Sequence, residues 1–274
     1  MRLGGREAET ARDRTKQNRK AGYAARRGAR GGEELGGVAL MNVEEYFREL
    51  HQAGSDSLSA SLADAEVRDG LSRCMQECLD WHAWKEVQSS LGRDPQVLEW
   101  ATKELQFGAY LASIGHYRNA FAQIRLFLEL GVSSIEFSAN EIFRRKWMSG
   151  NRNMKWSTLI DEKAGIYAQE FCLVFFKELA GEISIYRGLI DSVYTECSAY
   201  VHGGADTHRR IEHKVQFNRD LMLKWLQLRD AAHNGLVFGY VVRFLRELDD
   251  AQRAKISPGV LAKLGHLGQI RDCF

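Results

Sequence analysis

The sequence of 274 residues contains only two prolines, Pro95 and Pro258. Proline breaks helix interiors and marks turns. A chain this long with so few is poorly suited to a many-turned all-β fold and well suited to long uninterrupted helices. Apolar residues at 45% and charged residues at 27% are ordinary for a globular chain with a sizeable core. The longest apolar run, Gly235 to Val242, has eight residues, too few to span a bilayer. The reading is therefore an all-α bundle of long helices, with no membrane segment.

Hydrophobic spacing places the helices. Val43, Tyr46, Phe47 and Leu50 share one face of a short helix over 42–52. The Ser/Gly/Asp-rich stretch 54–61 reads as a linker, and 62–91 as a second helical region. Gly92-Arg93-Asp94-Pro95 is a break at which Asp94 can cap a new helix. Phe107, Tyr110, Ile114, Tyr117, Phe121, Ile124 and Leu128 alternate by three and four, which predicts one long helix stopped at Gly131. Residues 132–156 are mixed, with a Gly/Asn turn at 150–153. Helix is expected over 157–179, then along a second stripe of Ile183, Tyr186, Ile190, Val193, Cys197 and Tyr200, stopped by Gly203-Gly204. A last long segment covers 209–250, with a kink expected near Gly235. The organisation expected is thus a leader over 1–40, N-terminal helices and a linker over 41–92, a main helical domain over 93–250 and a weakly patterned tail over 251–274.

Charge is uneven. Residues 1–40 carry ten Lys/Arg against five Asp/Glu, eight glycines and almost no large apolar residue. Such a segment cannot bury enough surface to offset its ordering entropy, so a disordered basic leader is expected. It reads either as a nucleic-acid arm or as an inert extension, Met41 offering a second start just before the patterned region. The remaining residues carry 28 basic against 31 acidic side chains, which does not support a globally basic nucleic-acid binder.

The five cysteines are odd in number and three lie on helical stripes, so free thiols and a cytoplasmic setting are expected. Cys74, Cys78 and His82 follow each other at four-residue steps. They are a soft donor set that suits zinc, but Trp81 and Trp84 beside them point to a packed core, and no fourth ligand has convincing spacing. No metal or cofactor is expected.

Two groups of residues could carry function. Arg118 and Arg125 lie seven apart beside the apolar stripe, with Glu129 one turn on; they form either an anion-contacting edge or a solvated flank with an Arg125–Glu129 pair. Asp191, Thr195, Ser198 and His202 form a polar strip opposite the Val193/Cys197/Tyr200 stripe, with Tyr194 beside it. His202, at a helix C-terminus before two glycines, suits either a general acid/base or a helix cap. Arg144 and Arg145, in the basic run at 144–146, are further binding candidates.

A long helix bearing arginines, followed by a helix that ends in His202-Gly203, resembles the HEPN superfamily of small α-helical domains. Its signature is an arginine four to six residues before a histidine, typically Arg-Asn-x-x-x-His-Gly. His202 and Gly203 match; Cys197 stands where the arginine is expected and Ser198 where asparagine is common. The resemblance covers residues 100–205. It implies a homodimer, and either a metal-independent ribonuclease or a non-catalytic relative in a toxin–antitoxin or phage-defence setting. Cys197 cannot supply the positive charge that phosphoryl chemistry needs. The expectation is therefore a non-catalytic module that binds RNA or a partner protein. The alternative is an endoribonuclease using His202 with Arg118 or Arg125 from the neighbouring helix. A third reading is a purely structural helical protein.

Overall fold

The computed structural model describes residues 42–202 and 214–274, which form eleven α-helices and no strand. The expected all-α bundle is what the chain forms. Among these residues no helix is long and apolar enough to cross a membrane. The expected leader, the Gly203-Gly204 stop and the first residues of the segment placed at 209–250 lie outside the described residues.

Contacts group the chain into two units, Met1–Arg48 and Glu49–Phe274. In the first, the described residues begin helix α1 (Val43–Ala63), where Arg48 pairs with Glu44 at 2.7 Å and the apolar side chains of Val43, Tyr46 and Phe47 are exposed. All further elements belong to the second unit.

The stretch 54–61 is not a linker but the second half of α1. Its small residues serve close packing: Gly54, Ser57 and Ser61 are buried, and both serine hydroxyls donate to the Ser113 carbonyl, at 3.2 and 2.9 Å. Helix α2 (Ala65–Ser90) starts at Asp64, whose side chain accepts from the Val67 N–H. Helix α3 (Gln96–Ser113) follows Pro95, with Asp94 accepting from the Gln96 N–H at 3.0 Å.

The single helix expected over 107–128 is two. Gly115 adopts φ +84°, and a Cβ there would lie 2.7 Å from the Gln216 carbonyl oxygen, so the chain turns back at a position only glycine suits. The break rotates the stripe: Phe107 and Tyr110 at the end of α3 are exposed, whereas Tyr117, Phe121, Ile124 and Leu128 on helix α4 (Tyr117–Ala139) are buried. Gly131 does not end α4. It sits inside the helix where the Leu236 side chain presses against its backbone.

Helix α5 (Glu141–Met148) closes at a turn in which Gly150 has φ +73°. The segment 157–179, expected as helix, holds only the short helices α6 (Trp156–Leu159) and α7 (Gln169–Phe175) and a 3-10 turn, Lys177–Leu179. Asp161 is one reason: its carboxylate accepts from the Lys163 and Ala164 N–H groups, each at 2.9 Å, offering the backbone a turn in place of helical bonds.

Helix α8 (Ile183–His202) buries every member of its predicted stripe. Helix α9 (Arg219–Phe244) runs unbroken through the expected kink. Gly235 lets Ile190 of α8 approach, and Gly239 admits Tyr167 and Ile135. The Tyr167 hydroxyl donates to the Gly235 carbonyl at 2.8 Å. The expected tail is likewise part of the core, since helices α10 (Asp250–Leu264) and α11 (Gly268–Arg271) bury Ile256, Val260, Leu264 and Ile270. Its weak pattern reflects short helices that each contribute few inward positions.

Inside this bundle α2, α9 and α10 meet at a cluster of charges. Arg229 of α9, 1% exposed, is bonded to Glu77 of α2, and Lys263 of α10 reaches the same carboxylate at 3.0 Å. Beside it His233 is fully buried edge-on against Trp81, with ring centroids 5.2 Å apart. Burial holds this imidazole well below its ordinary 6.5, and Lys263 and Arg229 act in the same direction.

Glu77→Ala should destabilise the fold by about 3–5 kcal/mol in denaturant titration, since it removes the carboxylate bonded to a buried guanidinium. Glu77→Leu combined with Arg229→Met should recover most of that loss. His233 makes a second prediction. The unfolded chain takes up a proton near pH 6.5 that the folded chain refuses, so stability should decline as pH falls below 6.5 toward the lower folded value. His233→Leu should flatten that part of the stability–pH curve.

Candidate functional site

The end of α8 is held against α4 by its own apolar stripe. Tyr200 stacks on Phe121 with ring centroids 4.0 Å apart, and Cys197 is fully buried beneath it. Burial pushes the Cys197 thiol up to about 12, so it is a core residue and not a nucleophile. This packing sets the polar strip of α8 beside the arginine-bearing flank of α4.

Arg118 and Arg125 both meet α8 there, in different ways. Arg118 donates to the Tyr200 and Val201 carbonyls at 3.0 and 3.3 Å. Both carbonyls belong to the last described turn of α8, so Arg118 ties the start of α4 to that turn. Arg125 places Nη1 3.3 Å from His202 Nε2. A guanidinium can only donate, so this contact needs Nε2 as acceptor and the imidazole proton on Nδ1. His202 and Arg118 are exposed, and Arg125 is partly so.

Arg125 is locked from behind. Its Nε and Nη2 donate to Glu129 Oε1 at 3.2 and 3.1 Å, and its guanidinium lies 4.8 Å from the Tyr194 ring centroid. The Tyr194 hydroxyl donates to the same Glu129 oxygen at 2.7 Å. Burial, together with that carboxylate, pushes the Tyr194 hydroxyl up to about 12. Trp156 of α6 stacks on Tyr194 at 4.1 Å, almost parallel, and its indole N–H donates to Asp191 at 3.0 Å. Six side chains thus run in sequence, from Asp191 through Trp156, Tyr194, Glu129 and Arg125 to the exposed His202.

Asp191 orients Trp156. Ser198 returns its hydroxyl to the Tyr194 carbonyl at 2.7 Å and so faces its own helix. Arg144 and Arg145 do not join the group. Both sit on α5, tied to Glu141, whose carboxyl they hold down at about 2, and Arg144 also pairs with Asp94 at 3.0 Å. Trp156 is the member that sequence reasoning missed: it lies in a segment with no clean period, 35 residues before its partner. Cys74 and Cys78 are buried, with the Cys74 thiol raised by its contact with Cys78 and by burial, and Cys78 lowered by the same contact. His82 points outward to Glu86 at 3.5 Å. Among the described residues no group of three ligating side chains could hold a metal ion.

The carboxylate of Glu129 is the joint of this arrangement. Glu129→Gln should leave the protein folded, because the side chain is partly exposed and the size is kept. The Tyr194 hydroxyl should then titrate below its present value near 12, toward the ordinary tyrosine range, as the carboxylate that opposes its ionisation is gone. Near-ultraviolet titration of Glu129→Gln, with and without Tyr194→Phe, isolates that transition. Comparison with family models, with curated proteins and with solved structures returns no match for this chain.

Proposed function

We propose that the protein is a non-catalytic, HEPN-like helical module that binds RNA, with Arg125 and His202 contacting the phosphate backbone. The observation that carries this reading is the 3.3 Å juxtaposition of Arg125 Nη1 and His202 Nε2 at an exposed helix end. An arginine whose fork is fixed by Glu129 and whose face rests on Tyr194 is preorganised, so little side-chain entropy is lost when it meets an anion. Arg118, fixed on the α8 carbonyls beside it, adds a second cation to the same surface. The resemblance noted in the sequence is the sole ground for adding a homodimer and a toxin–antitoxin or phage-defence setting.

The absence of catalysis rests on charge. Arg125 is matched by Glu129, and Arg118 is committed to carbonyls. The cluster therefore offers less uncompensated charge than a pentavalent phosphorus requires. The second reading, a metal-independent endoribonuclease, is favoured by the same Arg125–His202 contact: a neutral imidazole beside a guanidinium is a base next to a phosphate ligand.

Fluorescence anisotropy with labelled single-stranded RNA and tRNA, followed by gel analysis of the same samples, separates the readings. Binding that weakens with added salt, and by about ten- to a hundredfold in Arg125→Ala and His202→Ala, is the expected result, with the RNA intact. Cleavage abolished by either substitution would install the ribonuclease in place of the binding module. RNA bound by neither parent nor variants would leave a protein partner as the ligand class.

A further inference from the structure

The side chains behind Arg125 form a column. The Tyr194 ring carries the Arg125 guanidinium over one face, 4.8 Å from its centroid. The Trp156 indole covers the other face, with centroids 4.1 Å apart and planes 5° from parallel. Two groups cannot share one face at such distances, so guanidinium, phenol ring and indole follow one another from the exposed helix end toward α6. The order is that of a short base stack with a cation at one end.

Trp156 ends the column and is only half-buried. Tyr194 covers one face of the indole, and the indole N–H is bonded to Asp191 at 3.0 Å. The surface it leaves to solvent is therefore on the side turned away from Tyr194, and it is apolar. The stack and the N–H bond together fix the ring, so a flat partner meets a surface that is already oriented. Lys155, its neighbour in the chain, is exposed, and among the described residues no ion pair engages it. At about 3.4 Å per nucleotide along a stacked strand, two or three nucleotides cover the length of the column.

We propose that Trp156 is a stacking platform for one unpaired base, which makes the ligand a single-stranded RNA. This inference rests on the RNA reading above and adds its substrate class. The strand sets its phosphates on Arg125 and His202. A base further along the same strand continues the column on the outer side of Trp156, with Lys155 beside that part of the backbone. A base inside a duplex has both faces covered by its neighbours and is not free for this contact. The indole N–H is already engaged, and a π-face accepts every base, so the platform reads strandedness and not sequence.

Fluorescence anisotropy with three probes tests this: a short single-stranded RNA, the same strand annealed to its complement, and an abasic ribose-phosphate chain of equal length. The parent should bind the single strand about tenfold more tightly than either of the others. Trp156→Leu should bind the single strand and the abasic chain alike. Trp156→Phe, which keeps a flat face, should retain most of the preference. Arg125→Ala should weaken both by the same factor and leave their ratio unchanged. The single strand should also quench part of the parent's tryptophan emission, and that part should be missing from Trp156→Phe although it still binds. Should Trp156→Leu fail to fold, this difference decides alone: equal quenching in the parent and Trp156→Phe overturns the platform. A parent that binds the abasic chain or the duplex as tightly as the single strand, or a folded Trp156→Leu that keeps the preference, overturns it too and leaves the RNA reading standing. A parent that binds none of the three probes overturns both.

Discussion

The contact between Glu77 and Arg229 is the constraint around which the bundle is arranged. Each charge has left water, and only its opposite makes that tolerable. Arg229 also donates to the Gly70 carbonyl at 3.3 Å, and Lys263 bonds both Glu77 and Asp230, so helices α2, α9 and α10 share one set of charges. A slide of any of these helices by one residue would strand a buried cation. Hydrophobic contacts, which are non-directional, could not by themselves specify this register.

Around that cluster, close approach depends on small residues. Gly131 on α4 accepts Leu236 of α9, Gly235 accepts Ile190 of α8, and Gly70 of α2 accepts Leu226. A methyl group at any of these positions would lie 2.1–2.5 Å from a neighbouring side-chain carbon, well inside van der Waals contact. The helices therefore pack near enough for Trp81 and Trp84 to reach Tyr240, at 5.2 and 5.3 Å between centroids, as an edge-to-face set. The same logic explains the buried serines of α1, whose hydroxyls bond the end of α3.

The candidate site follows from this packing. Once α4 and α8 lie side by side, the inward stripe of α8 fixes its rotation, and the polar strip must face the flank of α4 that carries Arg118 and Arg125. Stacking of Trp156 on Tyr194 and the shared Glu129 oxygen then settle which arginine meets His202. Arg118, one helical turn nearer the start of α4 than Phe121, falls level with the last carbonyls of α8. Arg125, two turns further along α4, falls level with the imidazole and its supporting tyrosine.

The sequence by itself determined the helical class, through the scarcity of proline and the three–four spacing, and it determined the stripe of α8 residue for residue. It also marked His202, Arg118 and Arg125 as the polar residues worth attention, because they stand on the faces those stripes leave over. Glycine and serine were what it could not decide. Gly115 breaks a helix, Gly131 and Gly235 lie within helices, and the serines at 57 and 61 are buried. Composition treats all of these alike, whereas the neighbour that presses on each is set only when the chain has folded. The tertiary structure alone decided that Arg125 meets His202 across 77 residues, that Arg118 bonds the Tyr200 and Val201 carbonyls, that Trp156 belongs to the group and that Arg144 stands by a separate cavity. Each of these rests on side chains distant in sequence, and no local periodicity carries a signal for contacts of that kind.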